Sequence, residues 1–474
     1  MFKYSLIIFG FILAINLANS NENVEVVYQW KVVEFENLPL PENAMIGRHR
    51  YYDPEHINIM QMGYHPLSGL MIVTVTRTRS GVPITMGAFC VDDYPPGSSP
   101  KIWAFPSNEA NLLRASDYDR PSLGIPNIPT PNIINQIQSS PLNIFKKTTT
   151  TPSPNEIDKT PRLMSTYTVN IDEKCNRAYT IDTGILTFSL LESYKVQKPS
   201  ILVYDLPEDG CKNNRNFSLI RRAEFPDDIG SNIPAGILYM TLDHQSDNCD
   251  DLFIYITNVY AHYLAVYDYK NDDFWVFRNY PSFQPELAES FIFDEGFSFQ
   301  LGLGIVSLAL DYPDENGDRM AYYTPSTSTS LYAVSTKVLK NKEKAQGRNA
   351  RDDFKFIGNK GRKSQTSKMA VDYKHGVVFF LEFQSNRVRC WNMKKPFTQE
   401  NIGVVYQSPT PMYGMMLFID SKGYIWFNKS HTGLMVGASL RLKLDKEHSI
   451  FYRVKVDDAI NGTVCENSQQ SVEQ

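Results

Sequence analysis

A pair of apolar segments joined by a short polar turn recurs along this chain and constrains its fold more than any other feature. In KMAVD-YKHG-VVFFLEF (368–383) the first segment ends in an aspartate, and the same outline begins at TYTVNID (166–172), GILYMTLD (236–243), GIVSLALD (304–311) and MMLFID (415–420). A further unit, INIMQMGYHPLSGLMIVTVTR (57–77), has Tyr-His in place of the aspartate. The chain therefore contains six units, five of them with the aspartate, and such repetition is typical of propellers and solenoids.

The apolar segments are too continuous for a sheet with one solvated face, so neighbouring sheets must cover both faces. Units that repeat at roughly 50 to 70 residues and hold about four strands each predict an all-β fold, a six-bladed β-propeller. The early strand VVYQWKVVEFE (26–36) is expected to pair with the last blade and close the ring, because closure removes exposed sheet edges.

The repeated aspartates are predicted to form turns rather than to act as catalytic acids. An aspartate at the end of a strand accepts hydrogen bonds from the backbone amides of its own turn. A repeated position indicates a repeated structural role. We therefore expect the same turn-forming role for Asp172, Asp243, Asp311, Asp372 and Asp420.

Residues 1–20 are expected to be a secretory signal peptide, followed by the propeller over 21–474. One lysine precedes an apolar run that ends before Ala18-Asn19-Ser20, and the run is short for a membrane span. Six cysteines without a C-x-x-C pair favour disulfides in an oxidising compartment over zinc. Sequons at Asn216, Asn428 and Asn461 fit the same secreted, extracellular location.

Two stretches depart from the repeat. Residues 116–158 are rich in Pro, Ser, Thr and Asn and predict a flexible, disordered insertion between the first two blades. Residues 337–368 are dense in Lys and Arg and predict a solvated loop or a weak site for acidic glycans. The formal net charge of −5 argues against a nucleic-acid partner.

Catalytic signatures are not found in the sequence. It lacks H-E-x-x-H, G-x-S-x-G, a Walker loop and a dinucleotide fingerprint, so no catalytic residue, metal site or cofactor is assigned. Asp182, Asn258 and Glu382 lie in or at the end of apolar strands and are candidates for the propeller's central channel. A buried polar group needs a partner, which is either a structural network or a ligand.

Several ordered motifs resemble the insect Yellow proteins and the major royal jelly proteins. They include AYTIDTG after NIDEKCNR, NGDRMAYYTPSTSTSLYAVSTKVL, GNKGRKSQTSKMAVD, VRCWN and GTVC. The resemblance implies a six-bladed propeller with disulfides Cys175–Cys249 and Cys390–Cys465, which leaves Cys90 with Cys211.

The resemblance also bears on the ligand, because the salivary branch of this family binds biogenic amines in its channel. Met415 stands where that branch has Thr, and Ser430 and Thr432 stand where it has Asn and Phe. An amine needs an acceptor for its ammonium and an aromatic face for its ring, and both are reduced at these positions. A small aromatic or amine-like ligand is still the expected partner, with Tyr413 beside Met415 as part of its lining.

Three functions follow from the resemblance. The favoured one is a secreted Yellow-like protein that binds a ligand outside the cell or acts in pigmentation or cuticle. The alternatives are a dopachrome-converting enzyme of melanin synthesis, which would need a general acid and base, and a nutritive or structural secretion. Fold analogy does not choose among them.

Overall fold

A computed structural model of the protein describes residues 23–117, 162–189, 192–211, 215, 217–230, 236–294, 297–347, 349–430 and 441–467. Six antiparallel four-stranded sheets form a six-bladed β-propeller, as predicted. Blades 1 to 3 consist, in chain order, of Gln61–His65, Leu70–Thr74, Met86–Cys90 and Trp103–Ala104; Thr166–Asp172, Arg177–Asp182, Ser200–Asp205 and Leu219–Glu224; and Ile237–His244, Leu252–Asn258, Tyr263–Asp268 and Asp273–Arg278.

Blades 4 to 6 complete the ring and include the N-terminal strand. They consist of Ile305–Leu310, Met320–Pro325, Ser330–Ser335 and Lys355–Asn359; Thr366–Asp372, Val377–Glu382, Arg387–Asn392 and Ile402–Gln407; and Leu417–Ile419, Tyr424–Ser430, Ser449–Lys455 and Glu25–Trp30. All residues of Ile305–Leu310 and Val377–Glu382 are buried. Both faces of these strands are therefore covered, as their continuous apolar sequence requires.

Short elements connect the blades. The hairpins are Met45–Ile46 with His49–Arg50, Ile185–Ser189 with Glu192–Lys195, and Phe291–Asp294 with Phe297–Gln300. The α-helices are Asn108–Asn111, Asp227–Gly230, Thr336–Leu339, Lys342–Gly347 and Val456–Ile460. The 3-10 turns are Pro54–His56, Val91–Asp93, Ala115–Asp117, Pro281–Phe283, Leu287–Glu289, Arg351–Asp353 and Gln399–Asn401. In the described parts of the chain, no helix has the length and apolarity needed to cross a membrane.

The N-terminal strand closes the ring, but it is shorter than predicted. Glu25–Trp30 pairs with Ser449–Lys455 and ends where Trp30 meets Ser449, the first residue of its partner. The Trp30 carbonyl still accepts from His448 N at 3.0 Å, and beyond it the chain crosses to blade 1, where Phe35 bridges Ile102. The Trp30 indole donates to the Pro100 carbonyl at 3.0 Å. This segment therefore ties blade 6 to blade 1.

Four of the five repeated aspartates form turns as predicted. Each accepts a backbone N–H from its own turn: Asp172 from Cys175 (3.3 Å), Asp311 from Tyr312 (2.7 Å), Asp372 from His375 (2.9 Å) and Asp420 from Tyr424 (2.9 Å). Asp243 differs, because it accepts from the Tyr255 hydroxyl at 2.7 Å and from Arg319 Nε at 3.1 Å. It therefore links blade 3 to blade 4.

The three disulfides pair the cysteines that were expected from the family resemblance. Cys90–Cys211 links blades 1 and 2, Cys175–Cys249 links blades 2 and 3, and Cys390–Cys465 fastens the C-terminal segment to blade 5. Removing such a bond typically costs about 2 to 5 kcal/mol of stability.

The predicted signal peptide, 1–20, lies outside the described residues, and so does the predicted insertion, 116–158, apart from Ser116 and Asp117. Asp117 forms a bidentate ion pair with Arg162, with both N–O distances at 2.8 Å. This pair joins the two chain segments that flank the insertion.

The prediction of a solvated loop over 337–368 is wrong in two respects: the stretch is not a loop throughout, and two of its lysines are buried, although much of it is exposed. This stretch continues into the short helix Lys342–Gly347 and contains Lys355–Asn359, the outer strand of blade 4, and it ends inside the first strand of blade 5. Lys360 is 1% exposed and Lys368 is 8% exposed. Charge density predicted solvation, but Lys368 lies within a strand and Lys360 directly follows one, and both side chains are buried.

Candidate functional site

The first strands of all six blades surround a central channel of about 280 Å³. Its wall includes, from blades 1 to 6, Gly63, Asn170, Thr241, Leu308, Ala370 and Phe418. Polar groups of neighbouring first strands bind one another: Asn170 Nδ2 donates to Met240 O (3.0 Å), Thr241 Oγ1 to Leu308 O (3.1 Å), and Met369 N to Ser307 Oγ (3.0 Å). The wall is therefore held by bonds between adjacent blades.

Asp182, a predicted channel residue, is fully buried, and its side chain binds backbone N–H groups. Its carboxylate accepts from the backbone N–H groups of Met164 (3.0 Å), Ser165 (2.7 Å) and Gly184 (3.3 Å), and from the Gln197 side chain. Burial raises the pKa of Asp182, and these hydrogen bonds oppose the rise. The residue fixes the segment that leads into the first strand of blade 2.

Asn258, a second predicted channel residue, is also fully buried. Its side-chain oxygen accepts from Tyr260 N at 3.1 Å and Ala261 N at 2.8 Å. These bonds shape the turn between the second and third strands of blade 3.

Glu382, the third predicted channel residue, is the fully buried centre of an ion-pair network. It accepts from Arg387 Nε, Arg389 Nε and Ser385 Oγ, each at 2.8 Å. Arg389 also donates to the Lys360 carbonyl at 2.8 Å. Among the described residues, no hydrogen bond joins any two of Asp182, Asn258 and Glu382, so the structure does not assemble them into one site.

The predicted residues of the last repeat lie close to one another. Tyr413 packs against Phe383 with ring centroids 4.9 Å apart, and Ser430 Oγ donates to the Tyr413 carbonyl at 2.8 Å. Met415 N donates to Asn428 Oδ1 at 2.9 Å. Thr432 lies outside the described residues. Ser430 therefore supports Tyr413 through its backbone.

The three predicted glycosylation sites differ in accessibility. Asn428 is fully buried, and its side chain binds Met415 N, Met416 N and Met60 O. In the folded protein its amide is inaccessible to a glycan. Asn461 is exposed, and Asn216 lies outside the described residues.

An aromatic cluster lies at the end of the channel where the first strands begin. It contains Tyr167, Tyr239, Tyr260, Phe383 and Tyr413, together with Met415 and several aliphatic side chains; we call it the mouth cluster. Burial raises the pKa of the Tyr260 phenol to about 12, and it also raises the pKa of Tyr167 and of Tyr239. These phenols therefore remain neutral at physiological pH.

Lys368 joins the mouth cluster to the channel. Its side chain lines the channel, and its ammonium lies 4.6 Å from the centroid of the Tyr239 ring. No described carboxylate forms an ion pair with it, and burial lowers its pKa to about 8. A desolvated cation–π contact contributes about 2 kcal/mol, whereas burying an ammonium costs several kcal/mol. The Tyr239 ring therefore compensates only part of the cost.

Sequence reasoning missed Lys368, although the sequence contains a signal for it. TSKMAVD places one charged residue near the start of a strand that is otherwise small or apolar up to the turn aspartate. The nearby basic residues concealed this signal, because they suggested a solvated stretch.

One described group has the composition of a metal site: Asp172, Cys175 and His244. Cys175 is bound in a disulfide with Cys249, so it offers no thiolate. His244 Nε2 lies 2.9 Å from Asp172 Oδ2. The group is consistent with a hairpin network that joins blades 2 and 3.

Comparisons with known proteins agree with the fold. Residues 164–465 match the family model described as Major royal jelly protein. The chain is 34% identical over 307 residues to "Yellow-related salivary protein ASP4" of Phlebotomus orientalis, covering 64% of this chain and 74% of that protein. It is 27% identical over 476 residues to "L-dopachrome tautomerase yellow-f" of Drosophila melanogaster, covering 96% of this chain and 97% of that protein. The chain belongs to the major royal jelly protein family, which includes the Yellow proteins.

Proposed function

We propose that this protein is a secreted Yellow-family propeller that binds a small aromatic molecule at the mouth of its central channel. The observation that carries the proposal is the mouth cluster beside a channel of about 280 Å³. Ligand sites are concave, mainly apolar, and contain a few placed polar groups. Neutral tyrosine rings offer flat faces on which an aromatic ring packs favourably.

Lys368 argues against an amine as the preferred ligand. Its pKa of about 8 leaves it mostly protonated at neutral pH. An ammonium ligand at the mouth cluster would meet this like charge in a poorly solvated place, where repulsion is strong. The proposal therefore retains the aromatic part of the expected ligand and sets aside the amine.

Secretion is supported by the covalent structure and by the relatives. Three disulfides are typical of proteins from oxidising compartments, and several relatives are named as salivary proteins. A role in pigmentation or cuticle is compatible with an extracellular aromatic-binding protein.

A titration tests this proposal. Indole and catechol would be titrated into the disulfide-intact protein by calorimetry, in parallel with an Ala370→Phe variant that fills the channel. Wild type should bind at least one probe with one site per chain, and the variant should bind at least about tenfold more weakly, a loss of about 1.4 kcal/mol. Thermal unfolding checks that the variant is folded. No binding of either probe, or equal binding by the variant, contradicts the proposal.

Conversion of dopachrome is the second candidate function. Its support is the alignment with the named dopachrome tautomerase over 96% of this chain, together with Lys368, whose pKa of about 8 suits proton transfer near neutral pH. The rate of dopachrome loss, with heat-denatured protein as control, tests it. Acceleration that Lys368→Met abolishes supports the enzyme, and a rate equal to the denatured control rejects it for this substrate.

A further inference from the structure

We propose that Lys368 is an anion-binding residue and that the ligand is a small aromatic carboxylate. Its ring would pack in the mouth cluster, and its carboxylate would pair with the Lys368 ammonium. This inference rests on the proposed function and specifies the class of ligand.

Lys368 is a buried cation, and no carboxylate among the described residues forms an ion pair with it. Lys368 is 8% exposed and lines the channel. Its described polar contact is the face of Tyr239, 4.6 Å away. Buried charges in proteins are normally paired, so a carboxylate arriving through the channel would complete the site.

A second buried lysine shows what a structural role looks like in the same protein. Lys360 is 1% exposed. Its Nζ donates to Thr324 Oγ1 at 2.7 Å and to Ser328 O at 3.4 Å. Lys360 is therefore satisfied by the fold, whereas the described partner of the Lys368 ammonium is an aromatic ring.

The Tyr239 hydroxyl supplies an independent observation. Tyr239 is 1% exposed, and its hydroxyl has no hydrogen-bond partner among the described residues. Buried hydroxyls usually have one. A carboxylate has two oxygens and so can accept from an ammonium and from a phenol at once.

The remaining charge of the channel argues against a ligand with two negative charges. Among the described residues that line it, Glu173 is the titratable group besides Lys368 and Tyr64. Its Oε1 accepts from Ser421 N at 3.0 Å. One ammonium and one carboxylate on the same channel leave no excess of positive charge for a dianion.

The experiment compares three probes of nearly equal shape: indole-2-carboxylate, indole-2-carboxamide and indol-2-ylmethylamine. Calorimetry on the full, disulfide-intact protein at pH 7 should show the carboxylate binding about tenfold or more tightly than the carboxamide. The amine should bind most weakly. Lys368→Met should bring the carboxylate within about twofold of the carboxamide, while Lys368→Arg should restore part of the preference. Lys337→Met, at an exposed position, is the matched control and should change nothing.

The outcomes separate this inference from the proposed function. Equal affinity of wild type for carboxylate and carboxamide, tighter binding of the amine, or a carboxylate preference that survives in Lys368→Met overturns the inference alone. Failure of indole and all three probes to bind overturns the proposed function as well. The wild-type comparison needs no variant, so a folding defect in Lys368→Met would not remove the test.

Discussion

Replacing Lys368 by methionine should stabilise the protein at neutral pH. The pKa falls from an ordinary 10.5 to about 8 on folding because the ammonium is buried. At about 1.36 kcal/mol per pH unit, this corresponds to about 3 kcal/mol of lost stability while the lysine is charged. Methionine keeps the unbranched shape but loses the desolvated cation–π contact with Tyr239, worth about 2 kcal/mol. Lys368→Met should therefore raise the free energy of unfolding by about 1 kcal/mol at pH 7.

The stability difference between Lys368→Met and wild type should also depend on pH. Between about pH 8 and 10.5 the unfolded state binds more protons than the folded state at this residue, so wild-type stability contributed by Lys368 rises with pH across this window. Burial raises the pKa values of the nearby phenols of Tyr167, Tyr239 and Tyr260. In the folded protein these phenols therefore titrate above most of this pH window. The advantage of the variant should therefore shrink above pH 8 and be small near pH 10.5.

Guanidinium unfolding at pH 6.5, 8 and 9.5 measures both effects. The protein contains no free cysteine, so its disulfides have no internal thiol with which to exchange at alkaline pH. Lys337→Met controls for the loss of a surface charge. A variant less stable than wild type at pH 6.5, or an advantage independent of pH, would show that burial of the Lys368 charge does not destabilise the protein.

Three other substitutions test the fold and the predicted sites. Glu382→Gln should lower the free energy of unfolding by about 3 to 5 kcal/mol, because Arg389 is 6% exposed and would lose its anion. Chemical unfolding measures this loss, with Glu343→Gln at an exposed position as the control. A loss equal to that of the control would contradict a stabilising role of the ion-pair network. Trp30→Ala should cost about 3 to 5 kcal/mol, because Trp30 is fully buried where blade 6 meets blade 1; a change within ±0.5 kcal/mol would show that closure adds little. In secreted protein, mass spectrometry should find a glycan on Asn461 that Asn461→Gln removes, and none on Asn428, which is fully buried; a glycan on Asn428 would contradict its place in blade 6.

The sequence predicted the fold because each blade repeats the same physical requirement. A strand covered on both faces has to be apolar throughout, and the turn that follows needs an acceptor for its amides. These requirements are local, so they are visible in TSKMAVD and VVFFLE without knowledge of the rest of the chain. The N-terminal strand was harder to delimit, because its end depends on where Ser449 begins the partner strand.

The site was predicted less well because a polar residue in an apolar strand looks the same whatever it binds. Asp182 and Glu382 resemble ligand groups in sequence, but Met164 and Arg389 satisfy them in the structure. Lys368 depends on Tyr239, which comes from another blade and lies far away along the chain. The three-dimensional arrangement separates the satisfied groups from Lys368, for which the described residues supply no anion.

A crystal structure of the protein grown with indole-2-carboxylate would show where an aromatic carboxylate binds. We expect density for the ring within the mouth cluster, against Tyr239, with a carboxylate oxygen within about 3 Å of Lys368 Nζ. A ligand bound elsewhere on the protein, or no ligand density in the channel mouth at a concentration that saturates binding in solution, would contradict this expectation.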